Sequence, residues 1–411
     1  MMISEPLSQY EEILKDAIRT SMKESGAKLA KTFQTLLIEI LTLYMILPRK
    51  INFTQMARYG KHGEQTYRQN FNRKKKDCID WLLLNLSLAR RVLDMDGLLA
   101  IAIDPCYISK AGKKTPHIGR FWSGCAGAVK HGLEIMGVGL LDVANNKCMM
   151  LRAHQTIGNS ALKMRNKTLV EYYISVMKRY SKKLLSITDI VVADAFFSTS
   201  TFEKGMSELG FYLVSRFRDN ACLHYIPKRE KGRGRPRVKG DKIDLANRNL
   251  SCMEELHIDG LDGKAYTLEA YAKALKKRVR LVIWRMPGGK CKLFFSTKLS
   301  MTGEEVLKTY RTRFQIEFCY RDSKQFTGLM DCQARHKSQL DFAFNASFAS
   351  LNAAKVFMKD NGMDNSMAKV KSLMFNANYT KLIFDMSRCR PNRTLISKIV
   401  KELIGWQPKA A

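Results

Sequence analysis

Three carboxylates stand out from the 411-residue sequence by where they fall. Asp104 follows the apolar run Leu98-Leu99-Ala100-Ile101-Ala102-Ile103, and Asp194 follows Ile190-Val191-Val192-Ala193. A charged side chain at the end of a buried strand is costly unless a metal ion, a proton or a hydrogen-bond partner compensates it. Taken singly, each also reads as a strand-end Asp capping the next turn. Two of them on neighbouring strands of one sheet offer oxygen ligands of the kind Mg²⁺ prefers. Glu317 is the third, in a helical stretch where Tyr310, Arg313, Glu317 and Lys324 follow one another at spacings of three, four and seven. At about 100° per residue these four fall within a stripe roughly 60° wide, so a tyrosine and two cations frame one carboxylate. The alternative is an exposed face on which Arg313 and Glu317 make an ordinary i,i+4 pair worth a few tenths of a kcal/mol.

The elements that must position these residues are legible in outline. Residues 1–96 read as a helical N-terminal DNA-binding domain. Within it Arg49–Lys76 holds nine basic residues against one acidic one, Glu64. Phe53–Tyr59 and Glu64–Phe71 flank a turn at Gly60–Gly63, which reads as a helix-turn-helix with Thr66, Tyr67, Arg68 and Gln69 reaching a groove. A basic helical hairpin with a solvated face is an equal alternative. Residues 97–218 read as the first part of a mixed α/β core: strands over Leu98–Ile103, Glu134–Val143, Cys148–Ala153, Asp189–Ala193 and Phe211–Phe217, with a helix over Thr168–Lys182. Residues 219–298 read as a β-rich insertion, with a hairpin turn at Pro287-Gly288-Gly289. Residues 299–345 complete the core with one long helix, opened by a capping box at Thr302–Glu305 and stopped at Gly328. Residues 346–411 read as a helical C-terminal region, broken at Pro391.

Composition narrows the partners. With 70 Lys and Arg against 38 Asp and Glu the formal charge is +32, and 45% of residues are hydrophobic. That suits a folded chain of two to three domains at roughly 150 residues each, facing a polyanion. A membrane is disfavoured, because the longest apolar stretch, Leu36–Leu47, spans twelve residues and contains Glu39. No basic segment followed by an apolar one opens the sequence, and the ten cysteines show no C-x-x-C pair. The expectation is a cytoplasmic protein with reduced thiols and no zinc site.

The spacing Tyr310-x2-Arg313-x3-Glu317-x6-Lys324, after Ile103-Asp104-Pro105-Cys106-Tyr107-Ile108 and Val192-Ala193-Asp194-Ala195-Phe196-Phe197-Ser198, resembles the Y-R-E-K pattern of the bacterial family-four insertion-sequence transposases. The resemblance covers about Leu98–Ala334. It implies an RNase H-like catalytic domain in which Asp104, Asp194 and Glu317 hold two Mg²⁺ or Mn²⁺ ions about 3.5–4 Å apart. It further implies cut-and-paste transposition: binding of double-stranded DNA at terminal inverted repeats, strand cleavage, and strand transfer to target DNA by a homodimer, nucleoid-associated when bound. Tyr310 and Arg313 would contact DNA beside the scissile bond, and Lys324 a nearby phosphate. A hairpin intermediate would need a stacked, extruded base. Relatives often carry a Trp where Lys292 stands here, leaving Trp284 and Trp122 as substitutes.

Two further basic elements are candidate DNA contacts. Lys110, Lys113, Lys114 and Arg120 lie on a loop leaving the first Asp strand. Arg233 and Arg235, in Lys231-Gly232-Arg233-Gly234-Arg235-Pro236, carry the core of a minor-groove A·T hook, but four such residues recur by chance in basic loops, and general backbone binding is the better-supported reading. The competing functions are a metal-dependent nuclease or resolvase on the same fold, and a catalytically silent DNA-binding regulator. The helix over Phe342–Met358, with Phe344, Phe348, Leu351 and Val356, is a candidate dimer interface or local core.

Overall fold

The computed structural model describes residues 5–72, 79–227, 237–244, 253–363, 366–387, 392–399 and 402. Apolar residues at helical spacing build α1 (Glu5–Ser25) and α2 (Lys31–Ile46). Two seven-residue helices follow, α3 (Phe53–Tyr59) and α4 (Glu64–Asn70), the first capped by Asn52, whose side chain accepts from the Gln55 amide. α5 (Trp81–Val92) closes the N-terminal helices. The sheet begins with β1 (Leu99–Ser109), β2 (Gly119–Ser123), β3 (Ala128–Asp142) and β4 (Lys147–Gln155). Next come α6 (Asn159–Met164), α7 (Leu169–Leu185), β5 (Ile190–Val192), α8 (Ser200–Glu208) and β6 (Tyr212–Phe217). β7 (Leu223–Tyr225), β8 (Glu254–Leu256), β9 (Lys264–Ala272), β10 (Lys277–Arg285) and β11 (Cys291–Ser296) complete the strands. The chain ends in α9 (Gly303–Thr312), α10 (Gln315–Phe326), α11 (Lys337–Asp360), α12 (Met367–Ser387) and α13 (Arg393–Lys398).

The strands form one mixed sheet in the order β2-β3-β1-β5-β6-β11-β10-β9-β7, with β4 on β3 and β8 on β9. β1, β5 and β6 run parallel and the other pairs are antiparallel. This mixed α/β arrangement is consistent with an RNase H-like domain. The strands within 219–298 do not fold away from the core: β11 pairs with β6, so they prolong the central sheet at one side.

Two expectations need correction. β1 does not stop before Asp104. It runs on to Ser109 because β3 continues beside it, from Asp142 opposite Leu99 to Gly132 opposite Ser109. β5 pairs only with Ile101 and Ala102, so Pro105 falls where its missing N–H breaks no parallel ladder. The helix from Thr302 is also not continuous. Its capping box between Thr302 and Glu305 forms, but α9 ends at Thr312. The amides of Phe314, Ile316 and Glu317 each reach back only three residues, to Arg311, Arg313 and Phe314, at 3.2, 3.1 and 3.0 Å. A 3₁₀-type turn at Arg313–Phe314 thus separates α9 from α10.

α11 is the central helix of the core. Phe344, Phe348, Leu351 and Val356 are all buried within the chain, against α1, α2, α5, α10, α12 and β4. The candidate interface is therefore internal packing. Two asparagines, one above the other on α11, clip the outer edge of β4. Asn345 bonds the amide and carbonyl of Ala153 at 2.9 and 3.2 Å. Asn352 does the same for Met150 at 3.3 and 2.7 Å and also donates to Asn85 Oδ1 at 2.8 Å. Side-chain amides thus take the place of a neighbouring strand. Pro391 and three of the ten cysteines lie outside the described residues, among which no two cysteines are joined in a disulfide.

Gly137 stands opposite Asp104 on β3, and a Cβ there would lie 2.0 Å from the Tyr320 hydroxyl of α10. The glycine lets α10 lie against the sheet at the level of Asp104. Gly137→Ala is expected to destabilise the chain by about 1–3 kcal/mol. Urea unfolding checks this, and Tyr320→Phe in the same chain, which removes the nearest clashing atom, should recover part of the loss.

Candidate active site

Asp104 sits in the interior of β1 with its side chain 20% exposed. Burial raises its pKa, the Arg313 guanidinium pulls it back, and the nearby carboxylates of Asp194, Glu317 and Glu134 raise it further, to about 7. The three sequence-flagged carboxylates therefore share one electrostatic neighbourhood although the chain separates them widely.

Asp194 lies just past the end of β5 and caps a short 3₁₀ turn, Ala195–Phe197, accepting the Phe196 amide on Oδ1 at 3.0 Å. Its carbonyl accepts the buried Ser215 hydroxyl of β6 at 2.9 Å. The capping role and membership of the cluster coexist. Glu317 opens α10, and Arg313 in the turn before it donates from Nη2 to Glu317 Oε1 at 3.0 Å. Arg313 Nη1 lies 3.7 Å from Asp104 Oδ1. One guanidinium thus spans two carboxylates, and its carbon lies 5.7 Å from the Tyr310 ring centre. Burial raises the Tyr310 pKa, opposed by Arg313 and Arg216. Lys324 reaches the Cys106 thiol, two residues past Asp104 on the same face of β1, and opposes the rise in that thiol's pKa, pushed by burial to about 11.

Several contributors escape a reading by spacing. Tyr320 donates to the Asp104 carbonyl at 2.6 Å and ties α10 to β1. Glu134 is a buried carboxylate held by the Tyr173 hydroxyl at 2.6 Å, its pKa raised by burial. Arg216 is a half-buried cation in β6, opposite Phe294. The Nε atoms of Arg216 and Arg313 are both buried without a hydrogen-bond partner. Two unmatched guanidinium donors in one site suit an anionic oxygen. The available signal for Arg216 was the one that exposed the aspartates: a charge inside an apolar strand.

The outlying candidates divide. Lys110 donates to the Cys332 carbonyl, and its pKa is lowered by burial. Lys113 and Lys114 line a cleft of about 660 Å³ with Lys50, Lys110 and Arg335. Arg120 is exposed on β2, a strand that the sequence reading took for the end of a loop. Arg68 pairs with Glu64, and its guanidinium carbon lies 5.0 Å from the Phe53 ring centre, at a cleft of about 710 Å³. Tyr67 does not face a groove. It is buried, its hydroxyl bonds Glu39, and Glu39 also accepts the Lys61 amide at 2.6 Å. Glu39, the charged residue in the apolar stretch of α2, thus pins the turn between α3 and α4. Arg233 and Arg235 lie outside the described residues. Trp284 is half-buried, bonded through Nε1 to the Asp262 carbonyl at 2.8 Å and covered by Lys292.

Among the described residues no group of three or more His, Cys, Asp or Glu side chains is gathered closely enough to hold a metal ion. Arg313, between Asp104 and Glu317, supplies the balancing charge instead. The donors are all carboxylate oxygens, the ligand type a hard divalent cation takes, with the Asp104 side chain 20% and the Glu317 side chain 40% exposed.

Asp104, Arg313, Arg216 and Tyr310 thus lie in one charged neighbourhood with Asp194 and Glu317. Residues 27–284, more than half of the chain, match the family described as DDE superfamily endonuclease, and the chain belongs to that family. The matched region includes Asp104 and Asp194 and ends before Glu317. No curated protein matches the chain. Among the described residues no helix is long and apolar enough to cross a membrane.

The raised Asp104 pKa fixes a pH dependence. Below about pH 4 this group is neutral whether the chain is folded or not. Between there and about pH 7 the unfolded chain ionises while the folded one keeps its proton, so its contribution to stability falls as pH rises. In EDTA, Asp104→Asn should melt like wild type near pH 4 and be more stable at pH 8 by on the order of a few kcal/mol. Thermal melts at the two pH values check this, and Mg²⁺ should raise the wild-type Tm more than that of the variant.

Proposed function

We propose that this chain is a transposase of the Y-R-E-K type, which binds the terminal inverted repeats of an insertion sequence and carries out metal-dependent strand cleavage and strand transfer as a homodimer on double-stranded DNA. The observation that carries the reading is the desolvated Asp104, crowded by Asp194 and Glu317 and bridged to Glu317 by Arg313. Membership of an endonuclease family supports the cleavage step.

Asp104, Asp194 and Glu317 are the residues that would hold a pair of Mg²⁺ or Mn²⁺ ions. When bound, these ions supply activation of the attacking oxygen and stabilisation of the leaving 3′ oxygen. Asp194 is presented by its own cap, with one oxygen fixed on the Phe196 amide. Arg313 and Arg216 supply positive charge to the phosphate beside the carboxylates. Tyr310, packed against Phe294 with ring centres 4.9 Å apart, braces Arg313 and lines the path of the strand. Lys324 adds a point charge beside β1. Lys110, Lys113 and Lys114 carry the DNA backbone past the end of that strand. Arg68, Arg120, Arg233 and Arg235 contact the backbone of the flanking duplex.

The second reading, a nuclease or resolvase that cuts without joining, is favoured by the endonuclease description of the family. One assay separates the readings. Full-length protein is incubated with Mg²⁺ and an end-labelled duplex carrying the inverted repeat that bounds its gene, with supercoiled plasmid as target. Cut ends joined to plasmid are expected. Cutting without joining supports the nuclease, and binding without cutting the silent regulator. Asp194→Asn and Glu317→Gln are expected to abolish cutting while retaining end binding in gel shifts. Arg216→Ala and Arg313→Ala should each weaken binding and lower its salt slope by about one.

A further inference from the structure

The β2–β3 hairpin carries a feature that the carboxylate site does not use. Trp122 is 60% exposed, and its cross-strand neighbour Val129 is 57% exposed. They form an apolar pair on the solvent side of a projecting hairpin, turned by a 3₁₀ segment at Gly124–Ala126 and by Gly127 in the left-handed region. Trp81 is buried and Trp284 is bonded and covered, so among the described residues Trp122 is the tryptophan with its indole offered to a partner.

Strand parity says which way it faces. Asp104 is opposite Gly137, Arg120 opposite His131, and Trp122 opposite Val129. Residues 129, 131 and 137 of β3 alternate onto one face. Arg120, His131, Trp122 and Val129 therefore share the sheet face of Asp104. His131 Nε2 lies 3.0 Å from the Gly112 carbonyl and so fastens the Lys113–Lys114 loop beside the same face. From Gly137 to Val129 the strand advances eight residues, about 26 Å at roughly 3.3 Å per residue, or about seven to eight base-pair steps.

We propose that the β2–β3 hairpin is a duplex-contacting finger, in which Trp122, backed by Val129, packs its indole against the bases about seven to eight pairs from the scissile phosphate, while Arg120 holds the adjoining backbone. The charge around the pair selects the partner. Cations flank an apolar tip, which complements a polyanion with stacked apolar faces inside it. A second copy of a chain with net charge +32 would meet repulsion there. At that separation Trp122 is no substitute for an aromatic stacking an extruded base at the cut. It acts on the flanking duplex instead. The proposal rests on the DNA-cleaving reading above.

The test uses full-length protein and a fluorescein-labelled 40-base-pair duplex ending in the inverted repeat, with anisotropy read across a KCl series. An apolar contact and a phosphate contact leave different signatures. Trp122→Ala should weaken binding about five- to tenfold at every salt concentration with the slope unchanged, and Trp122→Phe should restore most of the loss. Arg120→Ala should instead lower the slope by about one. 2-Aminopurine stepped along the duplex should brighten on binding at one site seven to eight pairs from the cut, and only when residue 122 is aromatic. Wild-type cutting together with unchanged affinity for Trp122→Ala overturns the finger and leaves the cleavage reading intact. A change in self-association with unchanged DNA affinity overturns it in favour of a protein contact. Wild type that neither binds nor cuts the duplex overturns both.

Discussion

Asp104 carries its carboxylate inside a strand, where removal from water favours the neutral acid and three companion carboxylates disfavour ionisation further. Much of the surrounding architecture answers that one electrostatic problem. Arg313 is drawn between Asp104 and Glu317, reaching the second at i,i+4 spacing. Tyr320 fastens the following helix to the Asp104 carbonyl, and Gly137 clears the space for it. A guanidinium serves this purpose better than an ammonium, because its planar fork can face two acids at once and keep a donor over.

The sheet explains why the cluster faces a long partner. Its carboxylates sit near the middle of a strand order that continues to both sides, with β3 and β2 on one flank and β6 and β11 on the other. Cations follow that order: Arg120 on β2, Lys110 at the end of β1, Arg216 on β6. A molecule long enough to touch all of them must itself be extended and negative, which is the geometry of a nucleic-acid duplex rather than of a small phosphate ester.

The two aspartates were legible because a charge in an apolar run has few inexpensive explanations. The β-strands of 219–298 were legible as strands, but their union with β6 was not, since pairing partners are set by tertiary packing and leave no local mark. The break at Arg313–Phe314 has no Gly or Pro to announce it and arises from contacts made elsewhere in the chain. Tyr67 was misjudged because periodicity places a residue on a helix face without saying which face is covered. Its hydroxyl bonds Glu39, twenty-eight positions away, a contact with no local mark in the sequence. Arg216 went unremarked although it stands in an apolar strand as the aspartates do. Phe342–Met358 could be read as interface or core from composition alone, and only the packing around α11 decides for core.

The asparagine clip on β4 has a consequence for how the polypeptide is made. Asn345 and Asn352 satisfy the backbone of a strand that emerges about two hundred residues earlier during synthesis. Until α11 leaves the ribosome, that strand offers a bare, ladder-forming border of the sort that recruits other unfinished chains. Copies shortened at the 3′ end of the gene would therefore yield not a smaller protein but a sticky one, with the border of β4 left without the helix that covers it.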